Sequence, residues 1–482
     1  MANFNKPEVY LRKGERKIPE DTKEKASGNK PEKMEKGQES RSQENSPDPQ
    51  IRERVSLLPL LTVNFISTLG FSIVLPFLVF LVNRLGGNAF VYGLASSMYP
   101  AFQLIGAPIL GRWSDIYGRK KVLLLSQLGT LFSWIVFLAA FFLPVSTLFK
   151  VDSKVLGAFT FTLPLAVLFF ARAFDGLTGG NVSVANAYLA DITEEKDMNR
   201  NFGKMSISSN LGFIVGPALA GILSVTQYGE TAPVLGAVVI SLIGTVIIMF
   251  YIPENKECSF DEPAGSEGMK KVFGYEIKEC KTTREKTGKP SFREVFKLPN
   301  IPYMLGLYFL IFLGFNIFYT SFPLHAIAAL DWSIAEMGVY FTVLSGLLII
   351  VQSFLLPGLS KRYSDASLII FGSLMLGTNF LLLIPGNLFL TYLATVFFAL
   401  GDGLMWPSFL SLLSKIGGRN YQGTVQGFAS SFGGLASITG LILGGLLYEM
   451  FAGRAFLLAG MIIYIVFLLN FRLRRFEQEL KH

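Results

Sequence analysis

Histidine and cysteine are almost missing from this 482-residue chain, with two of each. The cysteines, Cys258 and Cys280, both lie in a polar stretch, and the histidines are His325 and His482. No closely spaced Cys/His set exists to hold a metal, and none of the Ser–His or Cys–His arrangements of covalent catalysis can be assembled. A glycine-rich nucleotide loop is also missing, so neither an enzyme nor a bound cofactor is expected. Two lone thiols read as free cysteines rather than a disulfide framework. Charge is scarce too: 16% of residues are Asp, Glu, Lys or Arg, against about 25% in soluble chains. That excludes a conventional water-exposed surface. The N-terminus has no apolar run for a signal peptide. Residues 1–55 are rich in Lys, Glu, Pro, Ser and Gln and read as a disordered tail, with too little apolar area to offset ordering entropy.

What remains is apolar: 51% hydrophobic residues and a mean hydropathy of +0.45. The charges crowd into residues 1–55, 253–300 and 471–482. Between them lie twelve stretches long enough to cross a bilayer, near 57–82, 90–111, 122–144, 162–189, 203–226, 231–252, 301–325, 336–358, 366–385, 388–414, 422–449 and 454–471. The polar gap divides them six and six. The expected fold class is an all-α membrane protein of twelve transmembrane helices in two pseudo-symmetric six-helix halves. The tail is 1–55, the halves 56–252 and 301–471, the central loop 253–300 and the C-terminal tail 472–482.

Basic residues set the orientation. Arg112, Arg119, Lys120 and Lys121 follow the second stretch, Lys361 and Arg362 the eighth, Lys415 and Arg419 the tenth, and Arg472, Arg474 and Arg475 the twelfth. The other side has Arg84, Lys150, Lys154 and Arg454. The positive-inside rule puts both termini and the central loop in the cytosol. The net charge of +8 follows from that rule and does not imply nucleic acid as a partner.

The halves repeat one another. RWSD at 112–115 answers RYSD at 362–365, and LGT at 128–130 answers LGT at 376–378. FFARAFDGL at 169–177 answers FFALGDGL at 397–404, and RNF at 200–202 answers RNY at 419–421. Gly216 and Gly221 answer Gly440 and Gly445. Duplicated halves place a substrate path at their interface near mid-membrane.

The loop GRWSDIYGRKK (111–121) resembles the signature loop of the major facilitator superfamily, with Gly111, Asp115, Gly118, Arg119 and Lys120 matching. Ile116 stands where the family usually has arginine. Arg172 and Gly176 match the superfamily's fourth-helix motif, which implies proton coupling. Asp175 lies three residues after Arg172 on the same helix and can pair with it. GFIVGPALAGIL (212–223), with Gly212, Gly216, Pro217 and Gly221, resembles the motif of the drug–proton antiporter branch. ADITEEKDMNRNFGKM (190–205) and YQGTVQGFASSFGGLASITG (421–440) look like its tetracycline-resistance type. Those exporters carry acids in their first, third and ninth helices. This chain has none there, and Asn64 is the main polar group of the first span. That argues against tetracycline itself and puts any proton site elsewhere.

Asp402, in the repeat position of Asp175, has no basic partner in its own helix. An intramembrane acid is a functional candidate, so Asp175, Asp402 and Arg172 are the expected proton-coupling residues. Asn64, Gln103, Asn181 and Asn316 are expected to line the substrate cavity, together with Tyr319, Gln352, Trp406 and Gln426. The resemblance implies a monomeric, proton-coupled exporter of a small amphipathic compound in the plasma or inner membrane. Two alternatives stay open: an inward symporter or uniporter, and a transporter-like receptor or scaffold.

Overall fold

The computed structural model describes residues 56–193, 197–253, 269–272, 275–278, 296, 298 and 300–479. At 181, 198–199, 269–272, 275–278 and 418–423 only the backbone is described. The tail 1–55, both cysteines and most of the central loop lie outside the described residues.

Twelve membrane-crossing helices form two six-helix halves. The first crossing is broken. Helix α1 (Leu58–Ser72) and helix α2 (Leu78–Arg84) flank an irregular turn at 73–77. Pro76 explains the break: its ring clashes with the carbonyl four residues back, at Ser72, where α1 ends. Helix α3 (Ala89–Tyr117) is the second crossing, N-capped by Asn88, whose side chain accepts from the Val91 amide at 3.1 Å. Helix α4 (Arg119–Ala139) is the third. The fourth is also broken, into α5 (Leu163–Thr178) and α6 (Asn181–Ile192), by Gly179–Gly180. Helices α7 (Met198–Ser224) and α8 (Thr231–Tyr251) complete this half.

The second half opens with α9 (Ile301–Leu330) and α10 (Ile334–Ile350). The eighth crossing continues through a π-helical turn at Val351–Leu355 into α11 (Leu356–Leu359). Pro357 lacks an amide hydrogen and crowds the carbonyl of Ser353, which a π-turn relieves. Helix α12 (Asp365–Leu383) follows, then α13 (Leu388–Phe451), α14 (Ala455–Asn470) and the short α15 (Leu473–Glu479).

Helix α13 has 64 residues. Straight, it would reach roughly 96 Å at 1.5 Å per residue, three times a bilayer core. Its contacts show that it doubles back. From Tyr308 through Phe318 on α9 to Trp332 just past its end, its first part supplies Trp406, Phe398 and Tyr392 in turn, and so runs antiparallel. Its second part meets Tyr308 with Gly433, Asn316 with Ser437 and His325 with Tyr448, and so runs parallel. The expected tenth and eleventh spans are therefore two crossings, joined by helical backbone where a loop was expected.

Another departure is a β-hairpin between the third and fourth crossings. Strand β1 (Thr147–Ser153) pairs antiparallel with β2 (Gly157–Thr162). It docks on the end of the first crossing through Thr160 N to Gly86 O, 2.8 Å, and Thr162 Oγ1 to Leu85 O, 2.9 Å. The membrane end carrying it is called the hairpin end below, and the opposite end the termini end. A second short hairpin, β3 (Met269–Val272) with β4 (Tyr275–Lys278), lies in the central loop.

Apolar side chains cover the outside as well as the core: Phe250 is 73% exposed, Ile222 67% and Leu468 67%. Such a surface suits lipid and would aggregate in water.

Candidate functional site: a cavity between the halves

The halves meet in backbone contact at the hairpin end, at two crossings. Gly93 on α3 packs on α13, where an added Cβ would lie 2.5 Å from the Leu441 carbonyl oxygen and 3.0 Å from Gly445 Cα. Gly338 on α10 packs on α7, with an added Cβ 2.6 Å from the Pro217 carbonyl oxygen and 2.9 Å from Gly221 Cα. Small residues permit this approach. Glu449 adds a polar tie, accepting from the Ala89 amide at the start of α3 at 3.0 Å.

Between the halves lies a cavity of about 550 Å³, a size suited to a small organic ligand. From the N-terminal half it is lined by Phe71, Tyr92, Tyr99, Gln103, Arg172 and Asn210. The C-terminal half contributes Phe312, Phe315, Asn316, Tyr319, Gln352, Asp402 and Trp406. Trp406 packs edge-on to Tyr308 and Phe312, with centroids 5.1 and 5.0 Å away. Asn316 donates to Ser437 Oγ at 3.1 Å, which leaves its carbonyl for a ligand. Gln352 sits in the π-turn and reaches the cavity beside Gly403, where an added Cβ would meet Val351 at 2.7 Å.

The two repeat-related acids sit differently. Asp175 is buried and paired with Arg172, Nη1 to Oδ2 3.5 Å. The Arg172 guanidinium also lies 5.1 Å from the centroid of the Tyr99 ring. Arg172 lines the central cavity, whereas Asp175 lines a neighbouring recess in the N-terminal half. Asp402 lines the central cavity, and no salt bridge or hydrogen bond engages its carboxylate among the described residues. An uncompensated charge there needs water, a proton or a ligand.

Other expected residues are placed elsewhere. Asn64 lines neither space; it ties α1 to α7 by donating to Met205 O at 3.0 Å and Ser209 Oγ at 2.7 Å. Gln426 is also absent from both linings. Asn181 starts α6, and its side chain lies outside the described residues. The glycine motif of α7 divides its work. Gly212 and Gly216 pack on the first crossing, where Ser72 Oγ donates to Gly212 O at 2.9 Å, while Pro217 and Gly221 meet Gly338 across the halves.

The signature loop forms an ion network at the termini end. Gly118 turns between α3 and α4 at φ 98°, ψ 147°, a region closed to residues with a Cβ. This turn brings Arg119 onto Asp115 at 2.6 Å and onto Asp191 of α6 at 2.7 Å. Lys120 has no ion-pair partner among the described residues, and Gly111 meets no neighbour within 4 Å of an added Cβ. The repeat-related Asp365 pairs instead with Lys415, 2.5 Å, and accepts from Ser411, 2.9 Å.

Tyr92 and Tyr99 escaped the sequence reading. With Ser96 and Gln103 they stand at positions 0, 4, 7 and 11 on α3, one helical face. That polar stripe was readable; the run's overall hydropathy obscured it.

The family model described as Major Facilitator Superfamily matches residues 60–440 and 305–481. Multidrug resistance protein 2 of Bacillus subtilis is 25% identical over 421 residues, 86% of this chain and 94% of that protein. The class H tetracycline resistance protein of Pasteurella multocida is 25% identical over 398 residues, 82% of this chain and 89% of its own. Among solved structures, a D-xylose–proton symporter superposes with a TM-score of 0.66 at 12% identity, covering 86% of this chain and 96% of its own. The human organic anion transporter gives 0.58 at 20%, covering 87% and 100%.

Proposed function

Because the chain belongs to the Major Facilitator Superfamily, whose fold is that of a transporter and not of an enzyme, we propose that it moves a small amphipathic organic solute by proton-coupled alternating access. The observation that carries this reading is the cavity between the halves, with aromatic walls and an unpaired Asp402. Aromatic faces and one carboxylate suit an amphipathic molecule with a basic group. Two states of the halves that differ in affinity for solute and proton suffice to drive a cycle.

Export is the first reading of direction. It draws on the names of the curated relatives, multidrug and tetracycline resistance proteins matched over most of their length, and on the Gly212–Gly221 motif. Inward proton symport is the second reading, prompted by the D-xylose–proton symporter among the structural neighbours. Its identity of 12% carries the fold alone. In either case both termini and the signature loop face the cytosol, by the basic residues of the termini-end loops. The working unit is a monomer in a plasma or inner membrane. The 56–252 and 301–471 halves move about the solute.

The test is flux of a compound panel in proteoliposomes of purified protein, with a pH gradient imposed in either direction. Export predicts solute accumulation toward the acidic side. Accumulation toward the alkaline side establishes symport. Saturable binding with no flux under any gradient would remove the transport reading and favour a receptor.

A further inference from the structure

Helix α15, at the termini end, sorts its side chains by chemistry around its axis. Leu473 and Phe476, three apart, are buried on the C-terminal half, 0% and 4% exposed. They seat the helix. Phe476 packs edge-on to Tyr303 of α9 with centroids 5.5 Å apart, and the Tyr303 hydroxyl donates to Leu469 O of α14 at 2.6 Å. Arg472 belongs to the same seat, with its guanidinium 4.9 Å from the Tyr303 ring centroid and 5.4 Å from that of Phe476. Both carboxylates of α15 are used within the protein. Glu477 accepts from the Ala366 amide in the first turn of α12, and Glu479 accepts from Asn300 Nδ2 just before α9, each at 3.3 Å. One short helix thus ties together the ends of the seventh, ninth and twelfth crossings.

The opposite face is basic. At 3.6 residues per turn, Arg474, Arg475 and Gln478 point away from Leu473 and Phe476, and all three are exposed. The Arg474 guanidinium lies 5.7 Å from the centroid of the Phe471 ring, itself exposed where α14 ends. Its charge therefore stands at the level where lipid hydrocarbon gives way to headgroups. No carboxylate pairs with Arg474 or Arg475 among the described residues. Acids elsewhere at this end already have partners: Arg119 holds Asp115 and Asp191, and Lys415 holds Asp365. The Glu477–Ala366 bond also sets α15 beside the turn before α12, where Lys361 and Arg362 are exposed. Cations gathered at a bilayer edge, with the acids of their own helix turned inward, are complementary to anionic headgroups.

We propose that the outer face of α15, with the 361–362 turn, is a binding platform for an anionic phospholipid of the leaflet at the termini end. Arg474 and Arg475 engage its phosphate, for which the guanidinium fork is well matched. The apolar seat and the two carboxylate bonds fix the helix before lipid arrives, so little ordering remains to oppose binding. Bound lipid then holds the ends of three crossings of the C-terminal half at the membrane surface. The inference needs the membrane-spanning fold and neither proton coupling nor a direction of transport.

A ligand that binds the folded protein alone raises its unfolding temperature. The full-length protein in neutral detergent is therefore unfolded thermally with added phosphatidylglycerol, phosphatidylcholine or soluble glycerol 3-phosphate. Phosphatidylglycerol should raise the transition, and high salt should weaken the effect. Arg474→Gln with Arg475→Gln should require at least tenfold more phosphatidylglycerol for the same rise, as expected for the loss of two cations near a headgroup. Without lipid that variant should unfold with the native protein, because neither side chain is buried or paired. Arg474→Lys with Arg475→Lys should keep most of the response, and Arg454→Gln, at the hairpin end, should keep all of it. An equal rise with phosphatidylcholine would mean an unselective lipid shell and overturn the platform. An equal rise with glycerol 3-phosphate would mean a free-anion site, and an undiminished response in the glutamine variant would place the lipid elsewhere; either result also overturns it. A response that appears only after deletion of residues 2–50 would make the chain's own tail the occupant, with the same consequence.

Discussion

Asp175 and Asp402 occupy one repeat position in two halves and have opposite surroundings. In the N-terminal half the acid is paired with Arg172, and its helix breaks four residues later at Gly179. In the C-terminal half the acid stands in an unbroken crossing, without a cation and among aromatic rings. The irregular backbone is distributed accordingly. The N-terminal half has interrupted first and fourth crossings around a polar recess, and the C-terminal half has one π-turn and a large apolar core. A duplicated scaffold has kept its glycine crossings and divided its charges. The solute cavity is lined from both halves, whereas the recess belongs to the N-terminal half.

The largest expected effect breaks the paired side of this contrast. Arg172→Leu strands Asp175, and removing one partner of a buried pair costs about 3–5 kcal/mol. Thermal unfolding in detergent should show a large loss, mostly recovered in Arg172→Leu with Asp175→Asn. Asp402→Asn breaks no ion pair and should cost about 1 kcal/mol or less. Equal losses for Arg172→Leu and Asp402→Asn would erase the distinction.

The glycine crossings come next, because both halves contribute to them equally. An added Cβ at Gly445 would clash with the Ala89 carbonyl oxygen, and overpacking of this kind costs about 1–3 kcal/mol. Gly445→Leu should stop flux and make a single cysteine introduced at Tyr92 reactive from the hairpin end. Gly338→Leu should do the same from the other crossing. Unchanged labelling in both variants would mean that these contacts do not close the pathway.

Asn64→Ala removes two bonds between α1 and α7, a change of about 0.6–2 kcal/mol. Stability should fall while solute affinity holds, which separates Asn64 from Gln103 and Asn316. A smaller effect is expected at Glu230, at the hairpin end beside Arg84, 2.9 Å away. Burial raises its carboxyl above the ordinary carboxylate range, against the pull of Arg84. The folded state thus holds this proton more tightly than the unfolded chain, so this group favours folding as pH falls and disfavours it as pH rises past its folded value. Glu230→Gln should flatten that slope and change stability by less than about 1 kcal/mol.

Much of the fold was legible because lipid imposes it. Twelve apolar runs, the polar gap and the repeats were sufficient to expect six helices and six. The breaks were half legible: Pro76, Gly179–Gly180 and Pro357 stand in plain text, but hydropathy averages over them. The β-hairpin was missed because KVDS and GAFTFT are short and mixed, and their pairing depends on the helix ends beneath. In the site, charge was the strongest signal. Arg172, Asp175 and Asp402 were found because a charge in an apolar run is costly. Amides gave a mixed result. Asn316 and Gln352 reach the cavity, while Asn64 faces α7, and no period in the sequence says which helix a polar face meets. That Tyr99 and Gln103 line both spaces depends on tertiary placement, so the two looked like one.

Flux of tetraphenylphosphonium in proteoliposomes, with and without an imposed pH gradient, tests the contrast between the two acids most directly. Asp175→Asn should retain downhill exchange and lose stimulation by the gradient, whereas Asp402→Asn should weaken solute binding and keep that stimulation. The opposite pattern, with gradient stimulation lost in Asp402→Asn and intact in Asp175→Asn, would contradict the account.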